Sequence, residues 1–126
     1  MMPFHEQSAI VYKAVKETHE AFQAPVLVTE TGISTDDKNQ RSRFMLRSRY
    51  AIRQATNELG SDKVLGVIWW CLGDNMELER GMKQHFGQFA MTDKGLAAEP
   101  KPGTEASIRV AKAWRERQQE KVQKFA

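Results

Sequence analysis

Two stretches of this chain set polar and aromatic side chains at the ends of apolar runs. The first is Thr29-Glu30-Thr31-Gly32, a carboxylate closing the apolar run Val26-Leu27-Val28. The second is Trp69-Trp70-Cys71-Leu72-Gly73-Asp74-Asn75-Met76-Glu77, which follows the apolar run Val64-Leu65-Gly66-Val67-Ile68. A carboxylate held rigidly can serve as a nucleophile or a general base. An indole offers a flat apolar wall, and a glutamate nearby accepts hydrogen bonds from hydroxyls. Pyranose rings have both kinds of surface, so sugar chemistry suits the set. Glu30 could equally be a plain carboxylate opening a loop. Trp69 and Trp70 could be core, and Asp74-Asn75 a simple turn.

The flanking pattern says how these clusters would be positioned. Pro25 cannot continue the helical periodicity of residues 4–23 (Ile10, Val11, Ala14, Val15, Thr18, Phe22), so the chain turns there into Val26-Leu27-Val28. Such a continuous apolar run reads as a strand of a parallel sheet buried on both faces, which would give Glu30 a rigid, partly desolvated seat. A polar loop, Ile33 to Lys38, leads to a helix from Lys38 to Leu59 with Phe44, Ala51, Ile52, Ala55 and Leu59 inward and Gly60 just past its end. Its arginines, 41, 43, 47, 49 and 53, read as a solvated face or a seam to a neighbour. Lys63 to Leu72 is a second buried strand, joined to the first by that helix in a βαβ unit. Both clusters then leave the sheet on the same side, where α/β folds carry their chemistry. Facing alternates along a strand, so one of Trp69 and Trp70 turns toward the sheet's helices and the other away from them. Beyond them come a long loop with a short extended piece near Phe86–Met91, a turn at Thr92–Gly95 and an extended loop at Glu99–Gly103. A last helix, capped near Thr104, carries Ile108, Ala111, Trp114, Val122 and Phe125. The predicted order is helix, strand, helix, strand, long loop, helix.

Bulk properties narrow the field. The 126 residues make one domain and are too few to close an eight-stranded α/β barrel. The net charge of +3 arises from 19 basic and 16 acidic residues scattered along the chain, which argues against a nucleic-acid surface. The single cysteine, Cys71, excludes an internal disulfide and fits a reducing compartment. No apolar run reaches membrane-spanning length, so a cytoplasmic chain without a membrane anchor is expected. His5 and His19 have no second ligand at metal-binding spacing and read as surface or boundary residues.

Taken together, the motifs resemble the carboxyl-terminal part of a clan A glycoside hydrolase, nearest to the family 1 β-glucosidases. Thr29-Glu30-Thr31-Gly32 matches three of four residues of that family's Thr-Glu-Asn-Gly motif at barrel strand seven. Asp37, Arg41, Phe44 and Met45 echo its Asp-x-x-Arg-x-x-Tyr-Leu pattern with one extra residue. Trp70-Cys71-Leu72-Gly73-Asp74-Asn75-Met76-Glu77-Leu78 resembles its strand-eight Trp-Ser-Leu-x-Asp-Asn-Phe-Glu-Trp. His85-Phe86-Gly87 is similar to its Arg-Phe-Gly, and Pro100-Lys101 to a Pro-Lys before the last helix. Thr31, Cys71 and Leu78 depart from the pattern. Trp69-Trp70 and Glu99-Pro100-Lys101-Pro102 also resemble family 5 of the clan.

The resemblance implies an α/β fold, a partial (β/α)8 TIM barrel with parallel strands, in which residues 1–126 form the last quarter. It implies a retaining β-glycosidase, or a segment of one, with Glu30 as nucleophile and Trp70, Glu77, Asn75 and Trp69 contacting a carbohydrate substrate. No metal or organic cofactor is implied. The Asn-Glu-Pro segment that carries the clan's acid/base is absent, so the resemblance implies either a fragment of a longer enzyme or a subunit whose barrel other chains or copies complete. The alternative is a non-catalytic carbohydrate-binding or assembly module derived from such a barrel.

Overall fold

In the computed structural model the backbone is described for residues 4–94 and 97–124, and side chains for residues 9–94, 99–113 and 115–116. The side chains of His5, Trp114 and Val122, as well as Gly95 and Phe125, lie outside these residues. The elements run α1 (Phe4–Phe22), β1 (Val26–Thr31), α2 (Lys38–Leu59), β2 (Val64–Trp69), β3 (Phe89–Met91), β4 (Ala97–Pro100) and α3 (Glu105–Lys124).

Local chemistry sets the ends of these elements. After α1, the His19 ring nitrogen lies 2.8 Å from the Ala24 carbonyl, which it helps to satisfy before Pro25. Asp37 caps α2, its carboxylate accepting from the Asn39 and Gln40 amides. Gly60, at φ +108°, donates its N–H to Thr56 and ends the helix. At α3 the Glu105 carboxylate accepts from the Gly103 amide, while the Thr104 hydroxyl donates away from the helix to the Gln88 carbonyl.

β1 and β2 pair in parallel, as the βαβ reading predicts, and the described residues form no closed barrel. The register starts with Val26 opposite Val64 and then slips, so that Leu27 faces Gly66. Leu65 is the extra residue, and Gly66 takes a positive φ to accommodate it. A second slip lies between Val28 and Thr31, beside Glu30.

The helices cover one face of this pair. Val15 of α1, Ile52 and Ala55 of α2 and Val64 of β2 form the core, with Val11, Tyr12, Val26, Val28, Leu59 and Val67 packed around them. The other face is bare: Leu27 is 42% exposed, Leu65 61% and Ile68 54%. This corrects the expectation of strands buried on both sides. An apolar run identifies a strand that needs two coverings, but these residues supply only one. On α1, Ile10 and Phe22 are exposed as well.

β3 and β4 pair antiparallel, which the sequence pattern did not predict. The segment between β2 and β3 is irregular, with one tight reversal in which Glu77 and Gly81 exchange backbone hydrogen bonds.

Candidate active site

Glu30 is the fifth residue of β1 and is exposed to solvent. The partly desolvated seat predicted for it is not there. What holds this end of β1 in place is the contact of Thr31 and Gly32 with β2. Thr31 pairs with Trp69, and its carbonyl accepts from the Trp70 amide at 2.9 Å. Gly32 lies so close that a Cβ there would run into the Trp70 carbonyl oxygen and come within 3.3 Å of the Trp70 Cβ. The glycine two residues after Glu30 is therefore required by close approach of the second strand.

The two indoles diverge. Trp69 packs edge-on against Phe44 of α2, ring centroids 6.5 Å apart, and so belongs to the helix side. Trp70 points its Nε1–H toward the Glu77 carboxylate at 3.4 Å. The Cys71 thiol donates to the Gly73 carbonyl at 2.9 Å and lies 3.5 Å from the Asn75 side-chain oxygen. Trp70, Asn75 and Glu77 are thus gathered on one loop, at the end of the strand paired with the one that carries Glu30.

A polar lock holds that loop. Asp74 accepts from the Gly87 amide at 2.7 Å and pairs with the Lys101 ammonium. Burial pushes the Asp74 carboxyl up, but Lys101, the Gly87 N–H and His85 together take it below the ordinary carboxylate range. Arg41 is buried at 2% exposure and spans the gap between the β1 exit loop and residues 85–87. Burial draws its pKa down, against the pull of the Asp74, Asp36 and Cys71 charges. Of the two readings of the α2 arginines, Arg41 takes the seam to a neighbouring segment, while Arg43 and Arg53 are exposed. Arg49 is partly buried, and its Nε has no hydrogen-bond partner among the described residues. Among the described residues no group of three or more His, Cys, Asp or Glu could hold a metal, and no helix is long and apolar enough to cross a membrane.

No family model matches the chain. It is 30% identical to the chloroplastic β-glucosidase-like protein SFR2 of Oryza sativa subsp. japonica, over 86% of this chain and 18% of that protein. Fpglu1 from Fervidobacterium pennivoraus superposes with a TM-score of 0.75 at 27% identity, over 84% of this chain and 22% of its own. β-Glucosidase 2 from the fungus Trichoderma reesei gives a TM-score of 0.72 at 21% identity, over 85% and 26%, a likeness of fold alone. The chain resembles part of a family 1 β-glycosidase barrel. It spans less than a fifth of the curated β-glucosidase-like relative and about a quarter of the solved structures.

The β-glycosidase-like loop makes two measurable demands. Because the folded pKa of Asp74 is depressed, its contribution to stability is complete above the ordinary carboxyl pKa of about 4 and is lost as pH falls through the folded value. Stability should therefore decline below about pH 4, and Asp74→Asn should remove that part of the slope. Asn keeps an acceptor for Gly87 but leaves Lys101 without its partner, at a cost of about 1–2 kcal/mol at pH 7. Urea titrations from pH 3 to 7 check both.

Cys71 gives the other. Burial, then the Asp74 and Glu77 charges, raise its thiol pKa against the opposing pull of Lys101 and Arg41. Iodoacetamide at pH 8 should therefore modify the folded chain about tenfold more slowly than the urea-unfolded chain, by mass spectrometry.

Proposed function

We propose that this chain is the segment of a retaining β-glycosidase that supplies the nucleophile, Glu30, and part of the sugar contacts, Trp70, Asn75 and Glu77. The observation that carries the proposal is the pairing of two adjacent strand ends. One bears a carboxylate, and the other an indole whose N–H faces a second carboxylate at 3.4 Å. Trp70 would lie against an apolar face of a pyranose, and Glu77 would accept from its hydroxyls. The Glu30 carboxylate would attack the anomeric carbon while the bond to the leaving oxygen breaks, forming a glycosyl ester that water later hydrolyses. A second carboxyl about 5–5.5 Å from the nucleophile must protonate that oxygen, and it would come from another segment or chain. The single-domain reading of residues 1–126 belongs to the same proposal.

A leaving group that departs without a proton bypasses the missing acid. Incubation of the chain with 2-deoxy-2-fluoro-β-D-glucosyl fluoride should release fluoride and leave a fluoroglucosyl ester on Glu30, located by peptide mass spectrometry. Sugar-dependent quenching of tryptophan fluorescence without any ester would instead support the non-catalytic sugar-binding module, a reading favoured by the solvent exposure of Glu30. Label on another carboxylate would overturn the assignment of Glu30.

A further inference from the structure

The Arg41 guanidinium has an unusual set of partners. It donates to four main-chain carbonyls, those of Thr35, His85 (3.3 Å), Phe86 (3.5 Å) and Gly87 (3.0 Å), and among the described residues it pairs with no carboxylate. These acceptors belong to two different strand exits. Thr35 lies in the loop that follows Glu30, whereas residues 85–87 form a strap bound to the loop that carries Glu77. The strap is tied at several points. Its Gly87 amide donates to Asp74, and the Gln88 amide reaches the Cys71 and Leu72 carbonyls at 3.0 Å. On the other side the His85 amide donates to the Ser34 hydroxyl at 2.9 Å, and the His85 ring lies 2.7 Å from the Asp36 carboxylate.

We propose that Arg41 is a positioning residue that couples the two halves of the candidate site, fixing Trp70, Asn75 and Glu77 relative to the strand end that carries Glu30. The fork of the guanidinium is what allows this, since its donors diverge in one rigid plane and reach carbonyls from separate loops at once. A lysine ammonium is a compact point donor and cannot span them. Four carbonyls without a counter-carboxylate also make the clamp depend on geometry rather than on a pair of charges that could re-form elsewhere. Coupling runs from Arg41 through the Gly87 peptide to Asp74, and on through two residues to Glu77. The inference rests on the sugar-site reading only for what the geometry is used for.

Arg41→Lys, compared with wild type at a temperature where circular dichroism shows both folded, tests the idea. The rate of fluoroglucosyl labelling at saturating reagent should fall about 100-fold, the cost expected when reacting groups are displaced by about 1 Å. The 19F resonance of 5-fluorotryptophan at Trp70, assigned by Trp70→Phe, should shift or broaden. A role in stability alone would lower the melting temperature and leave both readouts unchanged in the folded protein, which would overturn the proposal. Ser34→Ala removes one stitch of the same strap and decides the matter if Arg41→Lys does not fold: labelling should slow several-fold, and an unchanged rate and resonance would overturn the proposal. If wild type takes no label, the catalytic reading fails by itself, and the Trp70 resonance still decides whether Arg41 positions the loop.

Discussion

Glu30→Gln is expected to abolish ester formation with the fluoroglucosyl reagent, a loss of about four orders of magnitude or more if Glu30 is the nucleophile. The amide is nearly isosteric and Glu30 is exposed, so stability should change by less than about 0.5 kcal/mol. That contrast separates chemistry from folding. Glu30→Gly goes further, since it leaves space in which a small anion can replace the carboxylate. With azide and an activated β-glucoside the product should be the α-glucosyl azide, because one displacement at the anomeric carbon inverts it. Proton NMR distinguishes the anomers. A variant that labels like wild type would remove Glu30 from the mechanism.

Gly32→Ala is expected to produce the largest loss of stability, about 3 kcal/mol or more, because the new methyl group meets a backbone carbonyl and no rotamer change can relieve the overlap. Both sides of the contact belong to paired strand ends, so relief means separating Thr31 from Trp70. In a domain with a few kilocalories of net stability, that is a large share. Gly81 provides the comparison. Its φ is positive, +58°, but a Cβ there would meet nothing within 4 Å. Gly81→Asn should therefore cost less than about 1 kcal/mol, since asparagine tolerates the left-handed region. Urea midpoints with unchanged slopes would confirm the ranking.

The helices and parallel strands were legible because their signals are local. Pro25, Asp37 and Gly60 each act through their own backbone or a neighbour within a turn, and α2 runs from Lys38 to Leu59 as its periodicity predicts. Trp69 turns to the helix side, as strand alternation allows, whereas Trp70 lies just past the end of β2 and turns to Glu77 of its own loop. Arg41 was harder to place among five arginines on one helix. Its signal was position rather than type, since it shares a stripe with Phe44, Met45, Ser48, Ala51, Ile52 and Ala55, all of which are buried. The pairing of β3 with β4 depends on partners brought together by a turn. Three and four residues are too few to announce it. Exposure of Leu27, Leu65 and Ile68 was not legible at all, because an apolar strand looks the same whether or not its second covering is present.

The half-dressed sheet bears on how this polypeptide would behave in a tube. Among the described residues each strand of this sheet pairs on one edge only, and Leu27, Leu65 and Ile68 make the surface between the edges greasy. Molecules meeting there would recruit one another in proportion to their number, so dilution, salt and a mild surfactant would govern how much stays dispersed. Preparations for the measurements above are therefore best kept dilute.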